Sequence, residues 1–345
     1  MIPPVDSVYY KPDPTRSGAT FKLYAPTKIP DLPPMKILRV KDLFTTAEKA
    51  AAKGWDPNKV LKSSWPSTLL DDDGRRAMSR PETVLARCYE NDAPYDPQIS
   101  MMTIALEMPL ATGDREERPA QVWRVNATGL GTPLVARMYD PLYFTTTIHD
   151  RFRIIERAVA SEKEAYARLK DYQGTLVPRF HGIFVAEIPS ARPRHVYVVL
   201  LEHIAGVDLQ ARMRTAGEAT CLRHKAGLFN AVARASYPLY RNGVRPDDLM
   251  DRNVILREPQ EPSAENFCAE YGCPFRNIFH IDLGDSPDDE HPYAPRVFII
   301  DLEDVRFETW DYDLSQCRKC MVRLWEVYAE WLAHQDIRPY FDVCG

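Results

Sequence analysis

Two acidic turns, each joined to a short apolar strand, constrain this chain more than any other feature. In segment 242–256, Asp248 and Asn253 lie five positions apart, and a Val-Ile-Leu strand follows at once. In segment 297–305, an apolar run ends at Asp301. Carboxylate and amide oxygens are the ligands that Mg²⁺ prefers, and a remaining carboxylate can act as a general base. The pattern predicts a shared magnesium and phosphate site, although Asp and Asn are also common in turns for conformational reasons alone.

The sequence between residues 100 and 241 predicts strands and two helices around these turns. Apolar residues recur at helical spacing over 154–170, and an apolar stripe runs along 221–241, directly before the first turn. Short apolar runs bounded by turn residues predict five strands. These predicted strands are 101–108, 120–125, 133–139, 176–185 and 196–201.

The order of these elements resembles the protein kinase-like superfamily, in which an Asp-x4-Asn loop precedes one strand and an acidic metal ligand ends the next. The resemblance implies that Asp248 is the catalytic base and that Asn253 and Asp301 bind magnesium. Asp247 competes with Asp248 for the role of base. Segment 134–144, LVARMYDPLYF, is similar to a divergent fungal group of kinase-like proteins and small-molecule phosphotransferases.

The same resemblance assigns residues to nucleotide binding. Arg137 stands where the family has its phosphate-binding lysine, and Glu162 stands where the family has the glutamate that pairs with that lysine. Glu164 is the competing choice for Glu162. Glu202 and Ile204 lie in a segment that resembles the hinge, whose main chain binds adenine.

The expected architecture is therefore an α+β, bilobal protein kinase-like fold. It would have a five-stranded antiparallel small lobe at 100–201, a reduced and mainly helical large lobe at 202–345, and a proline-rich N-terminal extension at 1–99. Eight prolines in the first 34 residues exclude long helices there and favour extended chain.

Several departures from the family pattern bear on whether the chain has retained the catalytic activity of the family. The segment between the first two predicted strands lacks the Gly-x-Gly-x-x-Gly motif, and Pro246 replaces the family histidine of the catalytic loop. We expect ATP- and magnesium-dependent phosphoryl transfer to a small-molecule hydroxyl or amine. The alternatives are a catalytically inactive pseudokinase acting as a binding or regulatory protein, or a kinase-like scaffold recruited to a different reaction in secondary metabolism.

The cysteines allow a second kind of metal site. A Cys-x4-Cys pair and a Cys-x2-Cys pair, Cys268, Cys273, Cys317 and Cys320, would suit a structural zinc ion. The competing interpretation places the last two on the apolar face of a helix over 314–332, since cysteine is often simply buried.

Charge and hydropathy limit the other partners. The net charge of −5 and the pI of about 6.0 give no indication of a nucleic-acid or anionic-membrane partner. No basic segment followed by an apolar run opens the sequence, and the odd number of seven cysteines favours reduced thiols. We expect a cytoplasmic protein that acts on a small molecule.

Overall fold

Six strands close into a barrel in the order β1-β2-β3-β4-β6-β5. The computed structural model describes residues 18–32, 93–111, 119–141, 151–188, 194–216, 218–281 and 291–307. The barrel strands are β1 (Thr20–Pro26), β2 (Tyr95–Ala111), β3 (Gln121–Ala127), β4 (Leu134–Tyr139), β5 (Phe180–Ile188) and β6 (Arg194–Glu202).

The barrel core follows from side-chain alternation along the strands. In β3, Trp123 and Val125 are buried while Arg124 between them is only half-buried, and in β1 the buried Phe21 is followed by the exposed Lys22. Successive side chains of a strand point to opposite faces, so this period of two places one apolar row inside the barrel. That row forms a single buried apolar cluster to which all six strands contribute.

Strand β1 completes the barrel by pairing on both sides. It runs antiparallel to β2, with Phe21 opposite Ile104, and antiparallel to β5, with Leu23 opposite Ala186. Two register shifts interrupt the pairing of β1 with β2. Bulges of this kind increase local twist and bend a strand, which closure requires.

This architecture overturns the predicted bilobal kinase-like fold. The five-stranded small lobe is instead a closed six-stranded barrel, and its additional strand comes from the segment predicted to be a proline-rich extension. The described residues hold only three α-helices, so the predicted mainly helical large lobe is also wrong. The physical reason is that the apolar alternation of residues 20–26 outweighs the flanking prolines.

The chain divides into two compact units. The first comprises Met1–Ala160 and Gly182–Leu200, and the second comprises Ser161–His181 and Leu201–Gly345. Helix α1 (Arg151–Arg168) crosses this division.

Besides the end of α1, the second unit combines two helices with two small sheets. The helices are α2 (Leu209–Ala216) and α3 (Leu222–Arg241). The strands are β7 (Val207–Asp208), β8 (Val244–Pro246), β9 (Val254–Arg257), β10 (Arg296–Ile299) and β11 (Val305–Phe307). One sheet has the order β10-β9-β7, and the other pairs β11 with β8.

The end of α3 delivers the chain to the first acidic turn. Asn242 caps the helix by donating its backbone N–H to carbonyls of the last turn, and Gly243 follows with φ of 68°. A left-handed residue at this point is the usual way for a chain to leave a helix sharply, and glycine adopts it without steric cost. Strand β8 then begins at once.

Some predicted features lie outside the described residues. These include Cys317, Cys320 and the helix over 314–332. Within the described part of the chain, no helix combines the length and the apolar character needed to cross a membrane.

Candidate functional site

The loop between β8 and β9 holds Asp248 and Asn253 together. Asn253 is only 2% exposed, and its side-chain Nδ2 donates to the Asp248 carbonyl oxygen at 2.9 Å and to Asp248 Oδ2 at 3.1 Å. These two bonds use both hydrogens of the amide, and among the described residues no hydrogen bond engages Asn253 Oδ1. The amide oxygen is the atom that would bind a metal ion.

The Asp248 carboxylate also has a cationic neighbour. Arg252 Nη2 lies 2.6 Å from Asp248 Oδ2, and the two side chains are 36% and 41% exposed. An ion pair with this exposure contributes only about 0–1 kcal/mol to stability, because water screens both charges. Arg252 therefore orients the carboxylate more than it stabilises the fold.

Asp301 reaches the same loop through the pairing of β9 and β10. These strands are antiparallel, with Ile299 opposite Val254, and the N–H of Ile300 donates to the Asn253 carbonyl at 2.9 Å. Asp301 is the next residue, so the second acidic turn begins directly beside Asn253. The backbone pairing thus brings together residues that are 48 positions apart in the sequence (301 − 253 = 48).

The backbone of Asp301 is unusual. Its φ is 68°, and among the described residues it is the single non-glycine with positive φ. Aspartate tolerates the left-handed conformation better than most residues, but the conformation still costs on the order of 1 kcal/mol. Strained residues of this kind concentrate at functional sites, where the surrounding structure holds them in place.

A second pair of strands ties the two turns together from the other side. Val305 in β11 pairs with Pro246 in β8, and the Asp247 N–H donates to the Asp304 carbonyl at 3.0 Å. The Asp247 carboxylate accepts from Arg306 Nε at 2.6 Å. Asp247, the competing candidate for the base, therefore contacts β11, whereas Asp248 contacts Asn253.

The other predicted site residues occupy different positions. Arg137 lies in β4 of the first unit and is 5% exposed, while Glu162 lies in the second-unit part of α1 and is fully buried. At the end of β6, the Glu202 N–H donates to the Arg179 carbonyl at 2.8 Å, so that main-chain donor is already engaged. Ile204 is buried.

Cys268 and Cys273 lie in the long connection between β9 and β10, close to Cys221 and His224. Burial raises the pKa of Cys221 to about 12 and raises the pKa of Cys268, because an apolar surrounding solvates thiolate poorly. Burial likewise lowers the pKa of His224, which keeps its imidazole neutral. The sequence prediction paired Cys268 and Cys273 with Cys317 and Cys320. The Cys-x2-His spacing of residues 221–224 was the signal that could have identified the partners seen here.

Comparisons with known proteins add little to this geometry. No protein-family model matches the sequence, and no curated protein matches it. One similar solved structure is described as WaaP in complex with acyl carrier protein. It is 18% identical, with a TM-score of 0.34, and the match covers 65% of this chain and 79% of that chain. At this TM-score and identity, the similarity establishes neither a fold nor a function for this chain.

Proposed function

We propose that the second unit binds the magnesium complex of a nucleoside triphosphate such as ATP and transfers a phosphoryl group to a small-molecule hydroxyl or amine. Asn253 Oδ1 and the Asp301 carboxylate would hold the metal ion on the phosphates. Asp248 would accept the proton of the acceptor hydroxyl or amine while the oxygen or nitrogen of that acceptor attacks the γ-phosphorus. The bond to the β-phosphate then breaks, and the nucleoside diphosphate leaves.

One observation carries this proposal: Asp301 holds a left-handed backbone directly beside a buried Asn253 whose amide is oriented by Asp248. A chance grouping of turn residues would be exposed and would not need a strained backbone. Three oxygen-bearing side chains on two turns that are fixed by two strand pairings suit a hard divalent cation. The proposal rests on these side chains and on the sequence resemblance of the two turns, and it requires no bilobal fold.

A second candidate is a nucleotide-binding protein without turnover. The contacts of Asp248 Oδ2 favour it, because Arg252 Nη2 at 2.6 Å and Asn253 Nδ2 at 3.1 Å already occupy the oxygen that an acceptor hydroxyl or amine would need. In that case the loop would bind the metal and the nucleotide, and the acceptor chemistry would be absent.

The first experiment measures nucleotide binding. ATP with Mg²⁺ should raise the melting temperature of the full chain and give a binding heat, and Asp301→Asn should abolish both. Asp171→Asn is the matched control, because Asp171 is an exposed aspartate of the same unit that belongs to neither acidic turn. Absence of binding by the wild-type chain at millimolar ATP and Mg²⁺ would refute both candidates.

The second experiment separates the two candidates by turnover. Release of ADP is measured against a panel of small hydroxyl and amine acceptors. The enzyme hypothesis predicts that Asp248→Asn binds ATP as the wild type does but loses roughly 10²-fold or more in rate. If the wild type and Asp248→Asn both bind ATP but the wild type releases no ADP with any acceptor, the protein without turnover is favoured.

A further inference from the structure

Two short sequence pairs meet at the beginning of α3. Cys221 and His224 form a Cys-x2-His pair at the first turn of that helix, and Cys268 and Cys273 form a Cys-x4-Cys pair in the connection between β9 and β10. Their ligand atoms all lie within 4.8 Å of one another. All four residues belong to the second unit, and three of them are buried.

The two nitrogen–sulfur distances in the cluster lie near the value that a tetrahedral metal ion requires. His224 Nδ1 lies 3.0 Å from Cys221 Sγ and 3.5 Å from Cys273 Sγ. Around a tetrahedral zinc ion, with Zn–N near 2.0 Å and Zn–S near 2.3 Å, nitrogen and sulfur are about 3.5 Å apart and two sulfurs about 3.8 Å apart. The cluster therefore needs only small adjustments to enclose an ion.

The imidazole of His224 is oriented as a metal ligand. Its Nε2 lies 2.9 Å from the Phe279 carbonyl oxygen, which can only accept a hydrogen bond. The hydrogen of the neutral ring is therefore on Nε2, and Nδ1 presents its lone pair to the two sulfurs. A backbone carbonyl that fixes the histidine tautomer in this way is the usual outer contact of a zinc-binding histidine.

We propose that Cys221, His224, Cys268 and Cys273 bind one Zn²⁺ ion as a structural site. Three sulfurs and one imidazole nitrogen select zinc over magnesium or calcium, which prefer oxygen. Four protein ligands leave no position for water or substrate, so the site would stabilise structure and would not catalyse a reaction. It differs from the sequence prediction, in which Cys317 and Cys320 completed the ligand set.

The ion would fasten the β9–β10 connection to α3. The same connection already contacts the first turns of α3, because Arg223 Nη2 donates to the Ile281 carbonyl at 2.8 Å. At Gly227, an added Cβ would lie 2.4 Å from Ile281 Cγ2, so the helix and the connection are closely packed there. Asn253 precedes β9 and Asp301 follows β10, so both residues lie at the ends of these strands that face away from the connection. Zinc would thus support the hairpin that carries the candidate magnesium ligands.

A disulfide is the main competing explanation, because three thiols lie close together. The structure has Cys221, Cys268 and Cys273 as free thiols. A disulfide would use two of these thiols, and it would not account for the orientation of His224 Nδ1 toward the sulfurs of Cys221 and Cys273. The two explanations predict different metal contents and different masses.

The first test is the metal content of the full chain after purification without chelators and after refilling with Zn²⁺. The proposal predicts about one zinc per chain, released by a mercurial reagent that modifies thiols. Cobalt substitution should give the visible bands of a tetrahedral ion and a thiolate-to-cobalt charge-transfer band in the near ultraviolet. Absence of stoichiometric zinc in the wild type, or a native disulfide between two of the three cysteines by mass spectrometry, would overturn the proposal.

The second test identifies the ligands. His224→Asn and Cys221→Ser should each lower zinc affinity by roughly tenfold or more, and the Cys317→Ser/Cys320→Ser double variant should retain the wild-type zinc content. The reverse pattern would show that the sequence-predicted set binds the ion and would refute the set proposed here. Should a variant fail to fold, the wild-type cobalt spectrum still decides, since it reports the number of thiolate ligands directly.

Metal content and nucleotide binding are independent readouts. Zinc can be present in a chain that does not bind ATP, and ATP can bind in a chain that contains no zinc. Failure of one proposal therefore leaves the other to be judged by its own measurement.

Discussion

The barrel and the second unit are held together in different ways. Barrel strands of six to seventeen residues share one apolar cluster. Strands β7 to β11 have only two to four residues, and individual polar contacts hold the turns between them. Apolar burial is non-directional and spreads over many residues, whereas a hydrogen bond or metal ligand requires one geometry. Single substitutions of polar residues should therefore alter the geometry of the turns in the second unit, whereas the barrel should tolerate such substitutions.

The largest effect should come from emptying the barrel core. Trp123 is 1% exposed, so Trp123→Ala removes a large apolar side chain and should lower the free energy of unfolding by about 3–5 kcal/mol. Guanidinium unfolding followed by circular dichroism measures the change. Met101→Ala is the control, because Met101 is 54% exposed in β2 and should shift stability by no more than about 0.5 kcal/mol. Equal effects of the two substitutions would contradict the assigned core.

The next effect concerns the packing of α3 on the β9–β10 connection. Gly227→Ala places a methyl group against three Ile281 side-chain atoms within 2.9 Å and should destabilise the chain by about 1–3 kcal/mol. It should also weaken zinc retention, because the connection moves away from the helix. Gly272→Ala lies in the same connection and meets nothing within 4 Å, so it should leave both unfolding and zinc content near wild type. A Gly227→Ala variant as stable as the wild type would show that the Ile281 side chain moves aside at little energetic cost.

At Asp301, stability and ligand binding should separate. Asp301→Gly relieves a left-handed residue but adds backbone entropy to the unfolded chain, so the free energy of unfolding should change by less than about 1 kcal/mol. The thermal shift produced by ATP and Mg²⁺ should nevertheless disappear, because the carboxylate is gone. Retention of that shift in both Asp301→Gly and Asp301→Asn would remove Asp301 from the site.

The smallest effect should come from the exposed ion pair between β8 and β11. The Arg306 side chain is 56% exposed, so Arg306→Ala should cost at most about 1 kcal/mol, and less at high salt. Unfolding at low and high ionic strength gives the comparison. A loss well above this value, independent of salt, would indicate that Arg306 supports the packing of β11 in addition to its charge.

Local elements of the structure could be predicted from the sequence. Segments 133–139 and 221–241 were predicted as strand and helix, and they correspond to β4 (Leu134–Tyr139) and α3 (Leu222–Arg241). Periodicity is a local property, and each of these segments carries enough residues to express it. The two acidic turns were likewise visible as Asp and Asn at strand ends. Their role in chemistry remains a prediction.

The closure of the barrel and the true neighbours of Cys268 could not be obtained in the same way. Leu23 pairs with Ala186, and nothing local in either segment specifies a partner that far along the chain. The Cys-x4-Cys and Cys-x2-Cys spacings predict Cys317 and Cys320 as the partners of Cys268. The structure instead sets it beside a histidine in the first turn of a helix. Long-range pairing is decided by packing, which a single sequence expresses only weakly.

The double pairing of β1 also has a consequence for synthesis. One of its two neighbours, around Ala186, is synthesised more than a hundred residues after β1 itself. Until then, the backbone hydrogen-bonding groups along one edge of the apolar strand β1 have no partner. Exposed strand edges of this kind are surfaces that chaperones bind and from which aggregates form. Slowing translation before residue 186 should therefore lower the yield of native protein more than slowing it afterwards.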